Sequence, residues 1–333
     1  MCLTIIHNSH SHPRRVLDDF RGDFEELSAF MQRSWAENTS QPLLYTPGYL
    51  ASCFSYPGAA FNLAPTLYED SRIVGFIAGF PRQILWKGTN VRILVVSLLT
   101  VASEYKKNGY GFILWNELTK RAQAAGFAGV LNFCVKGDSM NDMMMGFYRK
   151  MGVSAGKIFS IPYLMRVVLA KRERVATETA DSSLVDEFLD ATSCLANRTD
   201  LCRLWSREEA EWQCHGRANM VVVSFSGRGG RGFLTGQIMS IADRNRTKCL
   251  IVEDVLWGDL TTGERDALTQ KLLDRAVLEG AHLVIVPLQG YAEHEPFVNS
   301  RFVRSPRTLN AYLGSWTDSL KPEAVGSLYV DVF

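Results

Sequence analysis

The chain has 333 residues, 47% of them hydrophobic and 21% charged, and carries a formal net charge of +1. At roughly 100–200 residues per domain, that length predicts two domains, each able to bury its own core. The near-zero charge gives no electrostatic drive toward nucleic acid or a membrane surface, and no apolar run approaches the about 18 residues of a membrane span. The seven cysteines are an odd number and none forms a CxxC, so neither a disulfide framework nor a zinc knuckle is expected. The N-terminus, MCLTIIHNSHSHPRR, lacks the charged and apolar regions of a signal peptide. The expectation is a cytoplasmic protein with no nucleic-acid or membrane partner.

Residues 14–38 carry Val16, Phe20, Phe24, Leu27, Phe30 and Met31 near helical spacing and predict a helix. Residues 73–80 and 82–86 read as strands broken at Pro81. Residues 91–101 (VRILVVSLLTV) read as a longer strand buried on both faces. A helix follows over 109–125, closed by Gly126. Then come a strand at 128–135, a Met-rich helix at 140–151 ending before Gly152, and strands within 157–168. The polar stretch 169–183 (LAKRERVATETADSS) marks a boundary between domains at 1–172 and 173–333. Beyond it a helix is expected near 183–192, strands at 219–225, 232–241 and 248–257, a helix at 264–279 and a strand at 281–287. This alternation predicts α/β layers around a central sheet.

Two glycine-rich basic stretches compete as phosphate cradles: YKKNGYGF at 105–112 and GRGGRG at 227–232. An internal repeat separates them. Sliding the chain by 154 residues places Val101 on Val255, Leu114 on Leu268, Leu118 on Leu272, Arg121 on Arg275, Ala122 on Ala276, Gly126 on Gly280 and Val130 on Val284. A strand–loop–helix–strand unit at 95–133 therefore recurs at 249–287. In this register Gly109 meets Gly263, but Gly111 meets Arg265, and Lys106 and Lys107 meet Leu260 and Thr261. A phosphate must approach backbone N–H groups closely, so the first copy can cradle one and the second cannot. GRGGRG lies between MVVVSF and FLTGQIMSI, two strand-like runs, and precedes no helix. It reads as a hairpin turn.

The residues that carry the first unit resemble the GNAT superfamily of acyl-CoA-dependent N-acyltransferases. The family pattern is a strand ending L-x-V, a short link, then [QR]-x-x-G-x-[GA] opening a helix. Here Leu99, Thr100 and Val101 precede Lys106, Lys107, Asn108, Gly109, Tyr110 and Gly111, with Lys106 in place of Gln or Arg. A second family pattern, N-x-x-A-x-x-[FL]-Y-x-K-x-G-F, matches Asn141, Phe147, Tyr148, Lys150 and Gly152, with Met144 for Ala and Val153 for Phe. The clear resemblance covers residues 60–168, and the repeat extends it to the second half. It implies an α/β (α+β) fold of two tandem GNAT-like domains, each a mixed central sheet flanked by helices. The resemblance further implies that the second copy is degenerate and shapes the acceptor cleft.

The resemblance also implies a mechanism. Lys106, Lys107, Asn108, Gly109, Tyr110, Gly111 and Phe112 would hold the CoA pyrophosphate at a helix N-terminus. The two lysines read equally as a solvated surface pair. The strand at 99–101 would splay from 128–135, with pantetheine between them and a backbone N–H near Leu99, Thr100 or Val101 polarising the thioester. Asn132 and Asn141 would assist, although a structural role serves Asn132 as well. Tyr148 matches the family's general acid: its phenol, with an ordinary pKa near 10, is protonated at neutral pH. The bland reading of Tyr148 is a core tyrosine. In the second copy the offset of 154 puts Phe302 at this place, and an offset of 150 puts Val298 there. Neither has a hydroxyl.

No general base stands out among Glu104, Asp138, Asp142, Glu253, Asp254 and the terminal carboxylate after SLYVDVF. His7, His10 and His12 read as a tail rather than a metal site. Met140, Met143, Met144, Met145 and Met151 read as core filling, and Cys134 as a buried thiol. The expected function is transfer of an acyl group, acetyl by default, from acetyl-CoA or another acyl-CoA to an amine of a small molecule or peptide. Two alternatives are a GNAT-like decarboxylase or S-acyltransferase serving an acyl carrier protein, and a non-catalytic acyl-CoA-binding module.

Overall fold

The computed structural model describes residues 15–35, 43–106, 108–169, 184–228, 230–241 and 246–331. Its first half contains β1 (Arg15–Asp19), α1 (Phe24–Trp35), β2 (Leu43–Leu44), α2 (Pro47–Phe54), β3 (Pro65–Glu69), β4 (Arg72–Trp86), β5 (Thr89–Val101), α3 (Tyr110–Ala124), β6 (Gly129–Val135), α4 (Ser139–Lys150) and β7 (Ser154–Val167). Its second half contains α5 (Leu184–Ser193), β8 (Leu201–Leu204), α6 (Arg207–Glu211), β9 (Met220–Ser226), β10 (Arg231–Ile241), β11 (Lys248–Leu256), α7 (Thr262–Leu278), β12 (Leu283–Pro287), α8 (Glu295–Asn299), β13 (Val303–Ser315) and β14 (Leu328–Tyr329).

All of these strands join one mixed sheet. Its order is β1-β3-β4-β5-β6-β13-β7-β12-β11-β10-β2, with β9 on β10, β8 on β4 and β14 on β8. The sheet forms two lobes built alike. Each has a long antiparallel pair (β4–β5, β10–β11), a parallel partner (β6, β12) and a crossover helix between (α3, α7). The lobes exchange strands: β13 runs antiparallel between β6 and β7, and β7 in turn continues onto β12. Apolar residues of both lobes meet in one cluster, in which Phe76, Ala78, Phe80 and Leu98 pack with Met239, Cys249 and Ile251.

Two expectations are corrected. The helix expected over 14–38 is a strand, β1, followed by α1. Asp19 pairs with Pro65 across the sheet, and the left-handed Gly22 (φ 83°) breaks the run before the helix. Helical spacing of Val16 and Phe20 with the true helix residues disguised the strand. Pro81 does not break the next strand either. β3 pairs with β4 up to Phe76 and β8 takes over at Gln83, so Pro81 faces a partner only on the β5 side. A missing N–H is tolerated at such an unpaired edge. The polar stretch that marks the expected boundary lies, from 170 to 183, outside the described residues, as do His7, His10 and His12.

Candidate active site at the splay of β5 and β6

Strands β5 and β6 are paired in parallel from Ile93↔Gly129 to Val96↔Asn132 and then part. Beyond that apex β5 follows β4, while β6 follows β13. The register of β4 and β5 slips between Ala78↔Ser97 and Phe76↔Thr100, so the apex is flanked by a bulge. Leu98 in this bulge has φ 63°, a conformation costly for a non-glycine residue, of the kind that collects at functional sites. The bulge sets two β5 residues, Leu98 and Leu99, against the single β4 residue Ile77. Thr100, next along, is buried and donates its hydroxyl to the Leu98 carbonyl at 3.1 Å.

Tyr148 of α4 reaches the same apex. Its hydroxyl donates to Asn132 Oδ1 at 2.6 Å, and Asn132 is the last β6 residue paired with β5. The Tyr148 side chain is fully buried, edge-on to Trp115 with centroids 5.8 Å apart. Burial pushes its phenol well above 10, so it stays protonated. Asn132 also reaches Cys134 Sγ at 3.3 Å, and burial pushes that thiol up to about 11, which leaves it unreactive. Met144 is fully buried and Met140, Met145 and Met151 pack on the same cluster, so these four fill the core as expected, whereas Met143, expected there too, is exposed.

The loop after β5 ends in Gly109, the N-cap of α3, in the left-handed conformation at φ 79°. Among the described residues no side chain caps this helix, and its first turn holds no acid. The first bond into the helix is Ile113 N–H to the Gly109 carbonyl, so the N–H groups of Tyr110, Gly111 and Phe112 carry the positive helix end. Lys106 is exposed and its Nζ donates to the Ser34 carbonyl at 3.3 Å, at the end of α1. Lys107 lies outside the described residues. Asn108 N–H donates to Tyr105, the Tyr110 hydroxyl accepts from Arg15 at 2.6 Å, and Phe112 stacks edge-on with Phe147.

In the second lobe the matching features are closed. Helix α7 begins at Thr262 and is capped by Thr261 with Glu264, whose carboxylate accepts the Thr261 N–H at 2.8 Å and the Arg228 N–H at 3.2 Å. The GRGGRG turn thus packs on a carboxylate that already fills the helix end, and Gly227 N–H to the Gly230 carbonyl closes it as a hairpin. The counterpart of Tyr148 is neither Phe302 nor Val298 but Phe297. Both positions end in the same pattern, Val153 N–H to the Tyr148 carbonyl and Phe302 N–H to the Phe297 carbonyl. Left-handed Gly152 and Arg301 also correspond, at an offset of 149, whereas Gly126 and Gly280 keep 154. The second copy is shorter between those points, because α8 has 5 residues where α4 has 12.

Of the acids weighed as bases, Glu104 is exposed, Asp138 precedes α4 with its carboxyl raised by burial, and Asp142 accepts from Asn141 at 3.1 Å. Glu253 and Asp254 lie deep in the second lobe with Gln213 and Arg217. Near the C-terminus, Asp331 is locked between Arg82 and Arg203. Burial alone would raise its carboxyl, but the Arg203 and Arg82 charges outweigh burial and hold it far below the usual range. A carboxylate held so firmly is a poor base at neutral pH. The terminal carboxylate lies outside the described residues.

Strand β13 is the part of the site that sequence reading missed. Asn310 and Tyr312 both donate to Asn141 Oδ1, at 2.7 and 3.1 Å, and Gly314 lies against the Tyr148 ring. The signal was present: Leu309, Ala311 and Leu313 alternate with Asn310 and Tyr312 between the two core clusters. The Ser-Pro-Arg at 305–307 masked it.

Residues 24–153 match the Acetyltransferase (GNAT) family. No curated protein matches the chain in sequence. Among solved structures it is similar to Saccharomyces cerevisiae N-myristoyltransferase with bound myristoyl-CoA, at 13% identity and a TM-score of 0.71 over 95% of this chain and 86% of that one. Another structure of the yeast enzyme with bound myristoyl-CoA gives 12% identity and 0.72, covering 95% and 82%. A GCN5-related N-acetyltransferase from Kribbella flavida gives 14% identity and 0.51, covering 92% and 72%. Residues 24–153 thus carry a match to the GNAT acetyltransferase family, on a two-lobed fold similar to that of the yeast enzyme.

Proposed function

We propose that the protein is an acyl-CoA-dependent N-acyltransferase whose first lobe holds the donor and does the chemistry. The observation that carries this is the convergence of Tyr148 and Asn132 on the apex beside the Leu98 bulge. The pyrophosphate would lie on the N–H groups at the start of α3, between Asn108, Gly109 and Phe112, with Lys106 and Lys107 supplying positive charge. Gly111 keeps its approach clear: a Cβ there would meet only Val101 Cγ2, at 3.9 Å. Pantetheine would fill the gap that residues 99–101 leave beside β6, and a backbone N–H at the bulge would polarise the thioester carbonyl. Amine attack forms the C–N bond and breaks the C–S bond. The departing thiolate takes the Tyr148 proton, and the nitrogen's surplus proton restores it. Asn132 orients the phenol, while Asn141 ties α4 to β13.

Acetyl-CoA is the default donor, and the acceptor is an amine of a small molecule or peptide bound between the lobes. The cytoplasmic assignment remains part of this proposal; among the described residues no helix is long and apolar enough to cross a membrane. The test is calorimetric titration of acetyl-CoA and myristoyl-CoA into wild type, Gly111→Arg and Tyr148→Phe. Wild type and Y148F should bind a donor alike and G111R should not. Turnover with an amine panel should fall roughly 10²–10⁴-fold in Y148F. Equal binding by G111R would remove the cradle, and undiminished turnover in Y148F would remove the acid.

A further inference from the structure

The second lobe repeats the bulge as well as the splay. Between β10 and β11 the register slips from Gly236↔Val252 to Thr235↔Asp254, which leaves Glu253 as the extra residue. The offset of 154 makes Glu253 and Asp254 the counterparts of Leu99 and Thr100 on β5. The parallel pair of β11 and β12 ends at Ile251↔Ile285, so Glu253 stands at the mouth of a second splay. That mouth does not take a thioester. The Val255 N–H already donates to the Tyr291 hydroxyl at 3.0 Å, and the helix end below is closed by Glu264.

Leu250, Val252 and Val255 pack in the core under α7. Glu253 and Asp254 both point the other way: Gln213 Nε2 donates to Glu253 Oε2 at 2.9 Å and to Asp254 Oδ2 at 3.0 Å. This is the face turned to the first lobe, where Ile251 shares a cluster with Leu98 of the catalytic bulge. Asp254 is well supplied, by the Thr235 hydroxyl, the Tyr329 hydroxyl at 2.8 Å and Gln213. Glu253 is not. Its Oε2 takes Gln213 and Arg217, but its Oε1 is buried without any partner, on a side chain 2% exposed. Arg217 thus meets one oxygen of Glu253 and leaves the other, among the described residues, without a donor. An ammonium ion reaching the bulge would supply the charged donor that Oε1 lacks.

We propose that Glu253 is the residue that binds the acceptor's amine, as its ammonium ion, through Oε1; the ammonium gives up one proton to solvent before the neutral amine attacks. The duplicated thioester bulge has in this way been converted from a donor site into an acceptor site facing the first. The inference rests on the acyltransferase reading, and its test separates the two. Benzylammonium chloride and the uncharged benzyl alcohol are titrated calorimetrically into wild type and Glu253→Gln, both saturated with CoA. Wild type should prefer the ammonium by roughly ten- to hundredfold, the worth of a hydrogen bond to a charged group. E253Q should lose that preference while binding acyl-CoA as wild type does. Equal affinity of wild type for the two probes, no binding of either up to millimolar concentration, or a preference that survives in E253Q would each overturn the assignment. The wild-type comparison stands alone if E253Q fails to fold. Failure of acyl-CoA binding would instead count against the transferase reading.

Discussion

Gly314 on β13 sets the position of the proposed acid from the far end of the chain. A Cβ added there would lie 2.4 Å from Tyr148 Cε1 and 2.9 Å from Cζ, where ordinary contacts run 3.4–4 Å. In Gly314→Ala the ring must retreat by about 1 Å, and it is fully buried with Trp115 on one side. Overpacking of this kind costs about 1–3 kcal/mol. The same shift would stretch the 2.6 Å bond to Asn132 beyond hydrogen-bond range, at about 1 kcal/mol more. The sum is about 2–4 kcal/mol of stability. A 1 Å misplacement of the acid should cost on the order of 10²-fold in turnover. Donor binding, which depends on the α3 end, should stay within about threefold, since distant sites act independently. Chemical denaturation reads the first quantity, thiol release from acyl-CoA with an amine acceptor the second, and calorimetry the third. A G314A protein with wild-type stability and wild-type turnover would refute the reasoning that β13 positions Tyr148.

Gly109→Ala should cost about 1–2 kcal/mol, since φ 79° is unfavourable for an L-residue and no neighbour lies within 4 Å to share the cost. Its donor affinity should drop with it, whereas Gly263→Ala, inside the first turn of α7, should be neutral or slightly stabilising by the same denaturation assay. Asp331→Asn should destabilise by about 3–5 kcal/mol at pH 7 by leaving two buried arginines unpaired. Its folded carboxyl lies below the unfolded value of 3.8, so the stability it contributes is present above that pH and is lost as pH falls toward the folded pKa. The gap between wild type and D331N should therefore be constant above about pH 5 and narrow below about pH 4. A gap that widens in acid would contradict the ion-pair account.

The parts of the site legible in the sequence were local. Leu99 to Gly111 and Asn141 to Gly152 each form a short strand–helix or helix–strand unit, whose motif and glycine positions are set by backbone geometry within the unit. The repeat was legible for the same reason, through paired residues such as Gly126 and Gly280, which share a left-handed turn. What escaped was nonlocal. Asn310, Tyr312 and Gly314 meet α4 only because β13 crosses between lobes, and no local pattern encodes a partner about 170 residues away. The offset change to Phe297 was hidden too, because shortening a helix moves the register without leaving a mark in composition.

The exchange of β13 and β7 has a consequence for biosynthesis. When β7 leaves the ribosome, the neighbour that belongs between it and β6 does not yet exist; it ends at Ser315. At about 5–20 residues per second, translating the intervening chain takes roughly 7–30 s. For that interval the nascent half exposes two facing strand edges lined by residues such as Leu131, Ile158 and Ile161, all destined for the core. Open apolar edges of this kind invite pairing with other chains. Yield of the native protein should therefore respond to translation speed and to holdase chaperones more than its final stability would indicate.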